Sequence, residues 1–111
     1  MQDERDRGIA EVSRHGDHAV VVVRGEVDMS TVGELRTALD EAITGAGRVE
    51  VDLRETTFMD SSGLAALVAA YHRLGRIHEA IVLREPCPAV HKLLDVSGLA
   101  MLVDVRPRTD G

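Results

Sequence analysis

The spacing of hydrophobic residues divides this chain into segments with two different periods. Near the start, apolar residues fall within 9–12 and then run continuously over 19–23, with His15-Gly16-Asp17 between the two stretches. β-Branched runs on either side of a glycine-containing turn are typical of two strands joined as a hairpin. We therefore expect the domain to open with a β-hairpin.

A helical period follows the segment Gly25-Glu26-Val27-Asp28. Apolar residues recur every three or four positions and predict a first helix near residues 31–44; they are Val32, Leu35, Leu39 and Ile43. Thr31 and Glu34 have the spacing of a capping box at the start of this helix. Gly45 is expected to end it, because glycine readily takes the left-handed conformation beyond a helix C-terminus.

The centre of the chain has the pattern of a strand, a helix and a second strand. Apolar and charged residues alternate over 49–54, a helical stripe runs over 64–74, and Ile81-Val82-Leu83 forms another apolar stretch. Such units usually pair their strands in parallel through a right-handed crossover. The turn at Ser61 is then expected at the carboxyl end of a strand, where sites of open α/β sheets lie.

The remaining residues predict one more helix and one more strand. After Pro86 and Pro88, a short helix is expected to end near Ser97-Gly98, and the apolar residues of 101–105 predict a last short strand. The length of 111 residues fits one domain. The predicted fold class is α/β: a single domain with a mixed β-sheet of four to five strands packed with about three to four helices.

Composition and charge argue against several classes of partner. The net charge is −6 without a clustered basic stripe, which disfavours nucleic acid, and the aromatic content of 2% leaves an aliphatic core. No apolar run is long enough to cross a bilayer, and the charged N-terminus lacks the apolar stretch of a secretory signal. The single cysteine, Cys87, fits a reducing compartment. We therefore expect a cytoplasmic protein that binds neither nucleic acid nor membrane.

The segment Phe58-Met59-Asp60-Ser61-Ser62-Gly63-Leu64 is the strongest candidate site, because it joins a predicted buried strand to a predicted helix. Asp60 and Ser61 are residue types that cap helices. The free backbone N–H groups and the positive dipole end of a helix also stabilise added negative charge. The local residues favour a cap without regulation, and a phosphoryl switch on Ser61 is the alternative. Phosphorylation would add about −1.5 to −2 charges beside Asp60 and would act on binding more than on the fold.

A near copy of this motif, Asp95-Val96-Ser97-Gly98-Leu99, shows that the letters alone do not identify the site. Ser97 follows a predicted helix, so a phosphoryl group there would face the negative dipole end, whereas on Ser61 it would face the positive end. Ser61 is therefore the preferred acceptor. Asp28 is either a turn residue that helps to cap the first helix or a functional residue, and the sequence leaves this open.

Enzymatic and metal-binding interpretations have weaker support. No Gly-x-Ser-x-Gly motif surrounds either serine pair, and neither of the glycine-rich nucleotide-binding motifs is present. A small serine hydrolase remains the alternative from another class of function, because a distant histidine could approach. Cys87 and the histidines lack the spacing of metal ligands. We predict no metal site, no cofactor and no catalytic residue.

Several segments together resemble the STAS-domain anti-anti-sigma factors, which are bacterial antagonists of anti-sigma factors. They cover nearly the whole chain in the family's order and spacing: 25–28, 58–64, 88–90 and 94–99. The resemblance implies a STAS-like fold with the STAS domain at residues 8–106. A flexible N-terminal segment at 1–7 and a flexible C-terminal tail at 107–111 are expected to flank it.

The resemblance further implies a non-catalytic regulatory protein. Its unphosphorylated form would bind an anti-sigma factor serine kinase with bound ATP or ADP and so release a sigma factor. Phosphorylation of Ser61 would end this binding, and a metal-dependent serine phosphatase would restore it. Asp28, Asp60, Ser62 and Gly63 are expected to contact the partner together with Ser61, although Ser62 would be mainly structural. A STAS-type scaffold or sensor subunit without direct sigma release is the alternative within the same family.

Overall fold

A five-stranded mixed sheet is the frame of the protein, in a computed structural model that describes residues 8–108. Its strands lie side by side in chain order; they are β1 (Ala10–His15), β2 (His18–Val27), β3 (Arg48–Met59), β4 (Ile81–Arg84) and β5 (Asp104–Arg106). β1 is antiparallel to β2, and all later neighbours are parallel. The predicted hairpin and parallel strand-helix-strand unit are both confirmed.

The helices connect the parallel strands; they are α1 (Val32–Ile43), α2 (Ser61–Arg73), α3 (Pro88–Ser97) and the short α4 (Leu99–Leu102), with a 3₁₀ turn at His78–Ala80. Successive strands are added in one direction, so right-handed crossovers place α1, α2 and α3 on the same face of the sheet. This arrangement confirms the predicted single α/β domain with a mixed sheet.

The sheet separates an aliphatic core from a polar face. Val49, Val51 and Leu53 are fully buried, while the alternate residues of β3 are partly exposed. On the polar face Glu50 lies 2.9 Å from the guanidinium of Arg84 and 3.5 Å from the imidazole of His18. The largest fully buried side chains are all aliphatic: Leu35, Leu53, Leu67, Ile81, Leu83, Leu94 and several valines. The core is therefore aliphatic, as the composition predicts.

The capping box predicted at Thr31 and Glu34 is wrong. The Thr31 hydroxyl donates to the carbonyl of Glu26 (2.9 Å) and accepts from the Asp28 N–H (3.0 Å), so it holds the preceding loop instead of the helix. The Glu34 carboxylate accepts from the N–H of Ile9 (2.9 Å). Thr31 thus bonds the loop before the helix, and Glu34 bonds a residue 25 positions away, so neither side chain caps α1.

The predicted last strand over 101–105 is also partly wrong. Gly98 takes a left-handed conformation (φ 86°) that ends α3, as predicted, and the chain then makes the extra helical turn α4. Leu99, the first residue of that turn, and Val103, the residue after it, are both buried. The strand begins only at Asp104. Tertiary burial of these two residues overrides the strand preference of the apolar run.

The segments flanking the predicted domain are described only in part. Residues 1–7 and 109–111 lie outside the described range, so the predicted flexibility of both termini stays a prediction. Within the range, the Arg108 guanidinium donates to the carbonyls of Glu85 (3.1 Å) and Arg54 (2.6 Å). These bonds attach the start of the tail to the middle of β3 and to the residue after β4.

We expect the Leu94→Ala variant to lower the free energy of unfolding by about 2–5 kcal/mol, because it removes a fully buried side chain from the core. Urea denaturation followed by circular dichroism measures this loss. Val96→Ala, on the same helix but 78% exposed, serves as the control and should change stability by less than about 0.5 kcal/mol. Equal losses for the two variants would contradict the burial assigned to Leu94.

Candidate functional site

Ser61 lies where the last pair of the β2–β3 ladder meets the start of α2. Val27 and Met59 are the final paired residues, and the Asp60 N–H donates to the Val27 carbonyl (3.0 Å). Two register shifts, between Val22 and Arg24 and between Gly25 and Glu26, place extra residues in β3, and the two strands then end level at Val27 and Met59. The loops after the two strands are therefore neighbours, and Asp28 and Asp60 lie close enough for their charges to interact.

Asp60 is the helix cap, which decides between the two candidates that the sequence left open. Its Oδ1 accepts from the N–H groups of Ser62 (2.8 Å) and Gly63 (3.4 Å) and from the Ser62 hydroxyl (2.5 Å). The Ser62 hydroxyl, followed by these two N–H groups, holds the pKa of Asp60 below its ordinary value, against the effects of burial and of the Asp28 charge. The carboxylate thus already compensates the positive end of α2.

Ser61 and Ser62 differ in how available their hydroxyls are. Ser61 is the first residue of α2 and is exposed, and within residues 8–108 its hydroxyl makes no hydrogen bond. The Ser62 side chain is half-buried and donates to Asp60. Ser61 therefore presents a free nucleophile to an approaching partner, while Ser62 strengthens the cap.

Asp28 forms a turn with the same hydrogen-bond pattern as the turn at Asp60. Its Oδ1 accepts from the hydroxyl (2.7 Å) and the N–H (2.9 Å) of Ser30 and from the N–H of Thr31 (3.2 Å). The Ser30 hydroxyl and then the Ser30 N–H lower the pKa of Asp28. Asp28 is thus a turn residue that stabilises the approach to α1, and the same turn places its carboxylate beside the candidate acceptor site.

Gly63 is required for close packing beneath the site. A Cβ added to Gly63 would lie 2.7 Å from Cγ of Met59 and 2.7 Å from Cγ1 of Val27, closer than carbon atoms can approach. The glycine therefore lets α2 begin directly against the last pair of the β2–β3 ladder. Gly63 is buried, and its predicted contact with a partner stays a prediction.

The serine of the near copy is in a different environment. The Ser97 hydroxyl donates to the Leu94 carbonyl (3.1 Å) and accepts from the Leu99 N–H (3.3 Å), at the end of α3. It closes a helix C-terminus, as the sequence predicts. The structure therefore confirms that Ser61 begins a helix and that Ser97 ends one, which is the difference on which the choice of Ser61 depends.

The site is bordered by an apolar surface that the sequence pattern does not predict. The segment ending in Phe58 was predicted to be a buried strand, but β3 breaks its alternation after Leu53 and leaves the Phe58 side chain 47% exposed. With residues of α3 it lines an open groove of about 320 Å³; the lining residues are Phe58, Met59, Ala89, Lys92, Leu93 and Val96. Met29, in the loop after β2, is 83% exposed. The exposure of Phe58 follows from the irregular pairing of β3 with β2, which the spacing of residues in the sequence does not reveal.

Within residues 8–108, the candidate site lacks the partners that catalytic or metal-binding chemistry would need. Neither Ser61 nor Ser62 has a histidine within hydrogen-bond distance in that range. Among those residues no group of three or more histidine, cysteine, aspartate or glutamate side chains could hold a metal ion. No helix in the described part of the chain is long and apolar enough to cross a membrane.

Gly63→Ala should lower the free energy of unfolding by about 1–3 kcal/mol, because the new methyl group forces Met59 or Val27 to move. The matched control is Gly33→Ala in α1, where an added Cβ has no neighbour within 4 Å. That variant should raise stability by up to about 1 kcal/mol through helix propensity. Denaturant unfolding of both variants measures the difference, and a stable Gly63→Ala protein would disprove the close approach.

The lowered pKa of Asp60 predicts a pH-dependent contribution to stability. Because the folded pKa lies below the unfolded value of 3.8, the contribution is fully present above that value and disappears as pH falls through the folded pKa. The stability difference between the native chain and Asp60→Asn should thus be constant from about pH 7 to pH 5 and shrink below about pH 4. Urea unfolding across this range tests it, and a difference independent of pH would contradict the charged cap.

Comparison with known proteins agrees with this architecture. Residues 10–104 match the family described as "Mlab, STAS domain". The chain is 30% identical to an anti-sigma-B factor antagonist of Listeria monocytogenes, over 84% of this chain and 82% of that protein. It is 28% identical to an anti-sigma factor antagonist from Mycobacterium paratuberculosis of known crystal structure, with a TM-score of 0.79 over 91% of this chain and 86% of that one.

A more distant structure shares the fold. The Bacillus cell fate determinant SpoIIAA in its phosphorylated form is 22% identical, with a TM-score of 0.70 over 91% of this chain and 92% of that one. The family match spans nearly all of the sheet and its connecting helices. This chain therefore belongs to the STAS-domain family, and the relatives that it matches include anti-sigma factor antagonists.

Proposed function

We propose that this protein is an anti-sigma factor antagonist whose binding is switched off by phosphorylation of Ser61. The observation that carries the proposal is the exposed hydroxyl of Ser61 at the first residue of α2, which has no hydrogen bond within residues 8–108 and lies beside the carboxylates of Asp60 and Asp28. The similarity to anti-sigma factor antagonists supplies the class of partner. Asp28, Asp60, Ser61, Ser62 and Gly63 are the residues assigned to the contact region.

The choice of Ser61 over Ser62 follows from accessibility. A kinase must bring the attacking hydroxyl into line with the γ-phosphoryl group of its nucleotide. Ser61 can do this without breaking an existing hydrogen bond of the described residues, whereas Ser62 would have to leave Asp60 and expose a half-buried side chain. The Asp60 cap therefore occupies the Ser62 hydroxyl and leaves the Ser61 hydroxyl accessible.

Phosphorylation acts through charge at an edge that is already acidic. Asp60 occupies the N–H groups at the start of α2, so the helix end offers little further compensation for a phosphate. About −1.5 to −2 added charges would then join Asp28, Asp60 and the exposed Glu26 on one surface. We expect repulsion and desolvation to weaken partner binding while the fold is unchanged.

The partner must hold the phosphoryl donor, because this chain has no recognisable motif for nucleotide phosphates. The proposed partner is an anti-sigma factor serine kinase with bound ATP or ADP, and a metal-dependent serine phosphatase would reverse the modification. The antagonist itself is non-catalytic and acts in the cytoplasm. This assignment gives Ser61 the role of a substrate residue and not of an enzymatic nucleophile.

Intact-mass analysis after incubation with the candidate kinase and ATP tests the acceptor. The native chain and Ser62→Ala should each gain one phosphoryl group, and Ser61→Ala should gain none. Phosphate retained on Ser61→Ala but lost from Ser62→Ala would contradict the assignment. Turnover of an activated ester that disappears in Ser61→Ala would instead favour a serine hydrolase.

Sigma competition tests the switch. The unphosphorylated protein should displace the sigma factor from its anti-sigma factor, and the Ser61-phosphorylated protein should bind the anti-sigma factor at least tenfold more weakly, or about 1.4 kcal/mol. Ser61→Ala should bind like the unphosphorylated chain. An anti-sigma factor that binds without any release of sigma would indicate the STAS-type scaffold or sensor alternative.

A further inference from the structure

The exits of β2 and β3 form two equivalent turns that present different residues. In each turn an aspartate Oδ1 accepts from the side chain and the N–H of the serine two positions later and from the next N–H along the chain. The residue that follows the aspartate is Met29 in the first turn and Ser61 in the second. Because Val27 and Met59 are paired immediately before the turns, Met29 and Ser61 leave the sheet side by side.

The Met29 side chain is exposed to solvent on a turn that hydrogen bonds hold in place. It is 83% exposed although the turn that carries it is fixed by four hydrogen bonds of the Asp28 carboxylate with Ser30 and Thr31. A single exposed apolar residue on a surface is ordinary. Met29 is different because it adjoins the proposed acceptor and because Phe58, at 47% exposure, lies on the neighbouring strand opposite Glu26. The acceptor edge is thus apolar as well as acidic.

We infer that Met29 is an anchor residue for the anti-sigma factor kinase: its thioether side chain enters an apolar pocket of that partner next to the site of phosphoryl transfer. This inference rests on the proposed function and names a residue that determines specificity there. Methionine is enriched in the centres of protein interfaces, where it fills irregular apolar pockets. Charge complementarity identifies the same partner, because Met29 directly follows Asp28, whose charge acts on Asp60, and this acidic edge favours a pocket with basic residues at its rim.

The anchor also aligns the acceptor. Met29 and Ser61 are fixed to neighbouring strands of one rigid sheet, so a partner that holds the methionine places the Ser61 hydroxyl at a set position. Loss of the anchor should therefore weaken binding and reduce the efficiency of phosphorylation together. It should leave the fold unchanged, because the side chain is mostly in water.

The test compares four chains, the native protein, Met29→Gln, Met29→Leu and Met101→Gln, for binding to the candidate kinase loaded with ADP and, in a separate assay, for phosphorylation by that kinase with ATP as the phosphoryl donor. Met101 is 85% exposed on α4 and is the matched control for loss of an exposed methionine. We expect Met29→Gln to raise Kd about tenfold and to lower kcat/KM for Ser61 phosphorylation by a similar factor. Met29→Leu should stay within about threefold of the native chain, since it keeps the apolar surface, and Met101→Gln should not differ.

The outcomes separate this inference from the proposed function. If the native chain binds and is phosphorylated but Met29→Gln equals Met101→Gln, the anchor is disproved while the proposed function stands. If Met29→Leu is as weak as Met29→Gln, an apolar contact is also disproved. A native chain that binds no anti-sigma kinase overturns both proposals.

Discussion

The close approach of α2 to the ends of β2 and β3 is the constraint on which the candidate site depends. Val27 and Met59 form the last pair of the ladder, and Gly63 packs against both without a side chain. The Asp60 N–H bonds the Val27 carbonyl across the same junction. This contact determines where the helix begins and therefore where the Ser61 hydroxyl stands.

Two features of the site follow from that junction. The neighbouring strand exits bring Asp28 toward Asp60, so an acidic edge forms although the two residues are far apart in sequence. Each aspartate accepts hydrogen bonds from N–H and hydroxyl groups of its own turn. These hydrogen bonds lower the pKa of both carboxyl groups and so favour their charged form. An edge of this kind attracts a basic surface, whereas a phosphate on Ser61 would have to lose its water in the contact and would face the nucleotide phosphates held by the proposed partner, which is the physical basis of a charge-controlled switch.

The same motif letters have opposite roles at the two ends of the domain. Ser61 begins a helix with a free hydroxyl, whereas Ser97 ends one with its hydroxyl bonded to Leu94 and Leu99. The sequence allowed this distinction because hydrophobic periodicity places one serine before a helical stripe and the other after it. Local periodicity was thus sufficient to choose between them, while the identity of the cap at Asp60 needed the hydrogen bonds.

Sequence by itself determined most of the elements, their order and the aliphatic core, because these depend on patterns within single segments, and it predicts Ser61 as the acceptor. It failed for the capping box at Thr31, for the strand predicted over 101–105 and for the exposure of Phe58. Thr31 bonds the loop before α1 instead of the helix N–H groups, whereas the other two failures involve packing or pairing with other segments. Only the tertiary structure decided that Met29 and Ser61 lie side by side, since the bulged register of β2 against β3, and not the spacing along the chain, aligns their turns.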